Sequence, residues 1–239
     1  MSHVLSSELS VKVSDKELRQ HNTPTNTLLT HIADALFNGA NLTAISRIVL
    51  VDSGGNEKDF TSSLTFNVED TLQVTATITA SDSYTVTSIR TYGGANLYFE
   101  SSVNFTVSSG DQVQITITIS LTLSGSLSGG SFYIINLRSF IFRVLANQLS
   151  RSQLNITHVV FNITNLNTNE TFDYQTTVSK SKPASNRVSL SGSYAPAFDW
   201  ALNNVRVRAS GGELYGYTTN ISGYSNTTIT YTDSITVSV

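Results

Sequence analysis

The chain has 239 residues, is 39% hydrophobic and only 13% charged, carries a net charge of -3 and contains no cysteine. Absence of cysteine excludes disulfide frameworks, zinc–thiolate sites and thiol catalysis, and the length suits one large domain or two small ones. Polarity comes instead from Ser, Thr and Asn, giving a surface that hydrogen-bonds well but has little charge to hold copies apart.

Residues 1–19 read as an N-terminal arm. The opening MSHVLSSELSVKVSDKELRQ lacks the apolar core of a secretory signal. No stretch reaches the roughly 18 apolar residues of a membrane helix, so a soluble chain made in the cytoplasm is expected. Next comes NTLLTHIADALFNG, with Leu28, Leu29, Ile32, Ala33, Leu36 and Phe37 at helical spacing. Asn26 is placed to cap this helix, and Gly39 follows its end. An apolar strand begins at Ile45, LQVTATIT (72–79) alternates, and VTSIRTYGGANLYF (86–99) reads as a Gly-Gly hairpin. The run VQITITISLTL (113–123) puts Val113, Ile115, Ile117, Ile119, Leu121 and Leu123 on one face, with Thr and Ser on the other.

The same order then recurs. INLRSFIFRVLANQLSRS carries Leu137, Phe140, Ile141, Val144, Leu145 and Leu149 on one helical face, with Asn136 at the cap position. ITHVVFN follows from Ile156, at an offset of 111 from Ile45. LNNVRVRASGGELYGY (202–217) repeats the Gly-Gly hairpin with Leu-Tyr after it, and ITYTDSITVSV closes the chain. The reading is two homologous domains, 20–125 and 132–239, joined by a linker over 126–131 in the Ser/Gly-rich SGSLSGGS. Short strands with one wet face predict a mainly β fold: two tandem antiparallel β-sandwiches, jelly-roll-like, each preceded by one amphipathic helix covering an open side or end of its own sandwich.

Candidate chemistry is sparse. His3, His21, His31 and His158 show no metal-ligand spacing, and no G-x-S-x-G elbow or phosphate loop occurs. No cofactor, metal site or enzymatic activity is expected. Seven N-x-S/T sequons stand at Asn41, Asn104, Asn155, Asn162, Asn169, Asn220 and Asn226, a number that twenty Asn in a Ser/Thr-rich chain produce by chance. They mark only where glycosylation would fall. Tyr217 and Tyr224, in an aromatic-rich second half, are the candidate surface-binding aromatics. Charge is uneven: residues 1–125 hold six Lys/Arg and twelve Asp/Glu, and residues 126–239 eight and five. That imbalance suits contact between the acidic half of one copy and the basic half of another. The scattered basic residues do not form the stripe that nucleic acid requires.

The segments LLTHIADALFNGANLTAISRIVLV and YGGANLYFESSVNFTVSSGDQVQITITI, a helix, an apolar strand and a Gly-rich hairpin in a sandwich, resemble modules of viral structural proteins. Tail-fibre and vertex proteins of viruses infecting bacteria and archaea carry modules of this kind. The Ser/Thr/Asn-rich, cysteine-free style is similar to turret proteins of turreted icosahedral Sulfolobus viruses. The resemblance implies a tandem sandwich at a capsid vertex, turret or spike, in a symmetric oligomer touching other capsid proteins, made in the host cytoplasm and residing in the virion. A tail-fibre or lectin-like module binding a host-surface glycan is the alternative. No functional residue is carried over.

Overall fold

A computed structural model describes residues 2–124, 131–134 and 136–239, so most of the segment read as a linker lies outside the described residues. Among the described residues the chain is mainly β, with two α-helices. Strands β1 (Ser2–Val13) and β2 (Lys16–Pro24) lead into α1 (Asn26–Asn38). Then follow β3 (Ile45–Asp52), β4 (Glu57–Asp59), β5 (Thr65–Val68), β6 (Leu72–Thr79), β7 (Tyr84–Gly93), β8 (Asn96–Val107) and β9 (Gln112–Ser124). Strand β10 (Ser131–Ile134) precedes α2 (Leu137–Leu145). The remainder is β11 (Ile156–Asn165), β12 (Glu170–Thr177), β13 (Ser179–Ala184), β14 (Arg187–Tyr194), β15 (Trp200–Ala209), β16 (Gly212–Gly223) and β17 (Ile229–Ser238).

The strand order in the two halves is the same. In the second half it runs β10-β16-β15-β11-β12, and in the first β2-β8-β7-β3-β4. The remaining strands pair as β5-β6-β9 and β13-β14-β17. Strand β1 joins them. It pairs with β9 antiparallel from Ser2 to Val13, with β2 antiparallel from Ser7 to Val13, and with β17 in parallel from Ser2 to Val4. All other pairings are antiparallel among the described residues. The segment read as an arm is therefore the first strand of the sheet and the start of the second. Its alternation of Leu5, Leu9 and Val11, each buried, against wet neighbours is what draws it in.

Alternation also sets the faces of the closing strands. Val113, Ile115, Ile117 and Ile119 are fully buried while Thr116, Thr118 and Ser120 are half-buried on the other side. Each such apolar side chain contributes about 1.5–3 kcal/mol by leaving water. Successive strands form local hairpins: β5–β6, β7–β8, β13–β14 and β15–β16.

Helix α1 buries Leu28, Leu29, Ile32, Ala33, Ala35 and Leu36. Its cap is Thr25, not Asn26: the Thr25 hydroxyl accepts from the Leu28 N–H at 3.3 Å and donates to the Leu97 carbonyl at 2.6 Å, pinning the helix start to β8. Gly39 ends the helix at φ 75°, as its position suggested. Helix α2 stops at Leu145, one turn short of the expected Leu149, which is half-buried beyond it. Asn136 does precede α2, but its side chain donates to the Glu213 carbonyl at 3.1 Å and caps nothing.

Neither helix stays within its own half. Helix α1 lies against β8, but also against β11, β13, β14, β17 and the short 3-10 turn Arg151–Leu154. Helix α2 packs on β16 and on β5 of the first half, where Arg138 meets Asp70 at 2.6 Å. An amphipathic stripe specifies that a face is buried, not against which sheet, so the expectation that each helix covers its own sandwich gives way to reciprocal packing.

Candidate functional site

Asp233 occupies an inward position on β17, in register with buried Ile229, Tyr231, Ile235 and Val237. Three phenols converge on its Oδ2: Tyr231 donates at 2.8 Å, Tyr215 at 3.0 Å and Tyr217 at 3.2 Å. Tyr215 and Tyr217 meet edge to face, with Phe132 of β10 tilted against both. A carboxylate facing an otherwise apolar layer is sustained only by such charge-assisted hydrogen bonds. Tyr217, expected at the surface, is thus buried at 3% exposure: it lies two residues from Tyr215 on one strand and shares its inward face. It offers no ring to a ligand.

Burial, with the Asp233 charge behind it, pushes the Tyr215 and Tyr217 hydroxyls above their ordinary range, and burial with Tyr215 beside it does the same to Tyr231. A pKa raised on folding contributes stability that is complete below the unfolded value of 10.0 and lost as pH climbs past it. Denaturant midpoints are therefore expected to hold steady up to about pH 10 and fall above it, with the fall shallower in Tyr217→Phe. A wild-type profile indistinguishable from that variant's would contradict the coupling.

Tyr224 is 78% exposed and sits on a stiff turn. The Ser225 N–H donates to Asp199 Oδ1 at 2.8 Å, the Asn226 N–H to the Pro196 carbonyl at 2.6 Å, and the Thr227 hydroxyl to the Tyr224 carbonyl at 2.5 Å. Trp200 Nε1 donates to the Thr227 hydroxyl at 3.1 Å, and its indole lies so close over Gly223 that a Cβ there would come within 2.4 Å of it. The Leu166 N–H donates to the Asp199 carbonyl at 2.8 Å. Exposed Leu166 and Tyr224, with Ile221 three residues before the tyrosine, therefore gather at one end of the second-half sheet. This tip can present a fixed ring and apolar neighbours to a partner.

The seven sequon asparagines divide by exposure. Asn41, Asn104, Asn169, Asn220 and Asn226 are exposed; Asn155 and Asn162 are half-buried. Asn155 Oδ1 accepts from Lys180 Nζ at 2.6 Å, and Asn162 Nδ2 donates to Asp173 Oδ1 at 2.8 Å, so both are engaged in the fold.

Lys180 was not singled out in the sequence. Its ammonium donates to the carbonyls of Phe37 and Ile156 as well as to Asn155, joining the end of α1 to the second half, and burial pushes its pKa down. Two residues on, Lys182 pairs with Asp34 of α1. The signal was two lysines in alternate positions of one strand. Several arginines are likewise matched within the chain: Arg90 with Glu100 at 2.8 Å, Arg206 with Glu213 at 2.8 Å, and Arg47 with Asp59 at 3.0 Å. Strands β13, β14 and β17 form a shallow trough of about 630 Å³ whose lining includes Lys180, Arg187 and Asp233 among Ser179, Ser189 and Thr232. Among the described residues, no group of three or more His, Asp or Glu side chains is arranged to hold a metal ion, and no helix is long and apolar enough to cross a membrane.

These features define an antiparallel, mainly β protein with a buried tyrosine–aspartate cluster and an apolar tip. Comparison with protein-family models and with curated proteins gives no match to the chain.

Proposed function

We propose that the chain is a virion structural protein that assembles in symmetric copies into a capsid vertex, turret or spike, and that it is built as two tandem β-sandwiches descended from one duplicated unit. The observation that carries this reading is the identical strand order of the two halves, β2-β8-β7-β3-β4 against β10-β16-β15-β11-β12, held together by β1. Duplication gives a long, stiff, disulfide-free block from a short sequence, the need of a part repeated around a symmetry axis. Local hairpins dominate the pairing, and β5-β6-β9 and β13-β14-β17, which β1 joins, are the candidate second layers of the two jelly-roll-like units. A surface rich in Ser and Thr on a chain only 13% charged lets copies approach with little mutual repulsion. The role is structural rather than catalytic, with other capsid proteins as partners, synthesis in the host cytoplasm and residence in the virion.

Sedimentation across a wide concentration range, followed by cryo-electron microscopy of the native assembly, tests this. A symmetric multimer with the chain beside a rotation axis is expected; a strict monomer with no self-contact overturns it. A second reading, a tail-fibre or lectin-like host-surface module, is favoured by Tyr224 on its stiff turn. Glycan binding abolished by Tyr224→Ala without loss of stability would select it.

A further inference from the structure

The geometry points to β12 as a self-pairing edge: two copies join through Glu170–Thr177 in antiparallel register about a two-fold axis at Tyr174, extending the five-stranded sheet across both. This rests on the assembly reading above and supplies its first contact.

An open strand edge presents unpaired N–H and C=O groups, and soluble proteins blunt such edges with short strands, lysines, proline, bulges or inward charges. The other strands that end a line of pairing are blunted. Strand β4 has three residues, all charged, and β5 and β10 have four each. Strand β13 turns Lys180 and Lys182 inward, contains Pro183, and slips register between Ser181 and Ala184. Strand β12 carries two acids, Glu170 and Asp173, and otherwise none of these devices. It is eight residues long, lacks Lys and Pro, and pairs with β11 in unbroken register from Thr177–His158 to Glu170–Asn165. It ends the sheet order, and among the described residues no strand pairs with its other side.

Its inner face is sealed, which leaves the backbone edge free to act. Tyr174 stacks on Tyr194 with ring centroids 3.5 Å apart, and Phe172 meets Phe198 edge to face. Outward stand Thr171, Asp173, Gln175 and Thr177. Asp173 is the outward acid, and Arg206 and Asn162 already hold it.

The occupant follows from this pattern. In an antiparallel pair, directly opposite residues share a face, so a two-fold axis must pass through one residue position. Centred on Asp173, two carboxylates would oppose each other. Centred on Tyr174, Thr171 faces the partner copy's Thr177 twice, Asp173 faces Gln175 twice, and no like charges meet. Thr–Thr pairs opposite each other stabilise a sheet. In that register the strand is complementary to itself.

Two double variants at exposed positions test the register. Thr171→Lys with Thr177→Lys sets lysines against lysines across the axis, whereas Thr171→Lys with Thr177→Glu sets opposite charges there; both lose the same Thr171 hydroxyl contact to Thr164. Circular dichroism and melting establish that each remains folded. By sedimentation, the first is expected to weaken self-association about tenfold or more and the second to restore it. Hydrogen exchange should show the alternate amides of 170–177 that face away from β11 protected in the wild-type assembly and open in the first variant. An assembly that forms with these amides open, or that both variants leave unchanged, overturns the β12 contact while the structural role stands. A chain that stays monomeric overturns both. A dimer that pairs through β12 and grows no further supports the contact and counts against the capsid role.

Discussion

Asp233→Ala is expected to lower the stability of the folded chain by about 3–5 kcal/mol. The substitution removes the shared acceptor of three phenols, at 2.8, 3.0 and 3.2 Å, and leaves the buried residues Tyr215, Tyr217 and Tyr231 without it. A buried donor without a partner costs about 1–3 kcal/mol, so the cost rises with the number stranded. The hydroxyls relax partly toward one another, which keeps the total below the simple multiple. Tyr217→Phe deletes one donor and no acceptor, and should cost only about 1 kcal/mol. Asp233→Asn keeps an acceptor oxygen without the charge and should fall between the two. Urea unfolding at neutral pH ranks the three variants. If Asp233→Ala cost no more than Tyr217→Phe, the phenols would have other partners and the carboxylate would not organise the cluster.

Legibility in the sequence followed the range over which each force acts. The closing strands were readable because a half-buried antiparallel strand writes its two faces into every second residue, as in Val113, Ile115, Ile117 and Ile119. The Gly-Gly hairpins were readable because a tight turn constrains a few adjacent residues. Gly94 at φ 60° joins β7 to β8, and Gly212 at φ 139° begins β16. Both helices could be placed, yet their partners could not, because nothing local distinguishes the sheet of one half from that of the other. The three pairings of β1 were hidden for the same reason: Leu5, Leu9 and Val11 announce a buried face but not its neighbours.

The candidate site was less legible still. Asp233 stood in plain view as the charged residue in the apolar register of ITYTDSITVSV, and that break in parity was its only local signal. Parity also separates Tyr217 from Tyr224. The former falls in step with buried Tyr215, whereas the latter lies past the end of β16 in a turn fixed by Asp199 and Pro196. Pairing of Asp34 with Lys182, and of Lys180 with the end of α1, spans more than a hundred residues and leaves no trace in composition.

A chain ending at residue 124 is expected not to fold into a stable monomer, although it contains one whole copy of the repeated pattern. Helix α1 would lose β11, β13, β14, β17 and the Arg151–Leu154 turn, and β1 would lose β17. The seam is closely fitted: Lys180 takes the carbonyl of Phe37, Lys182 takes Asp34, and a Cβ on Gly39 would lie 2.9 Å from the Ser152 Cα. Re-exposing even three apolar side chains of α1 costs about 5–9 kcal/mol, which is comparable to the whole stability of a typical domain. The truncated chain should therefore show weak near-ultraviolet circular dichroism, bind a hydrophobic dye and unfold without a cooperative transition. Co-expression with a chain of residues 131–239 should restore all three properties, because every contact across the seam is non-covalent. Cooperative unfolding of the truncated chain within about 1–2 kcal/mol of the intact protein would mean that the seam is incidental and each half stabilises itself.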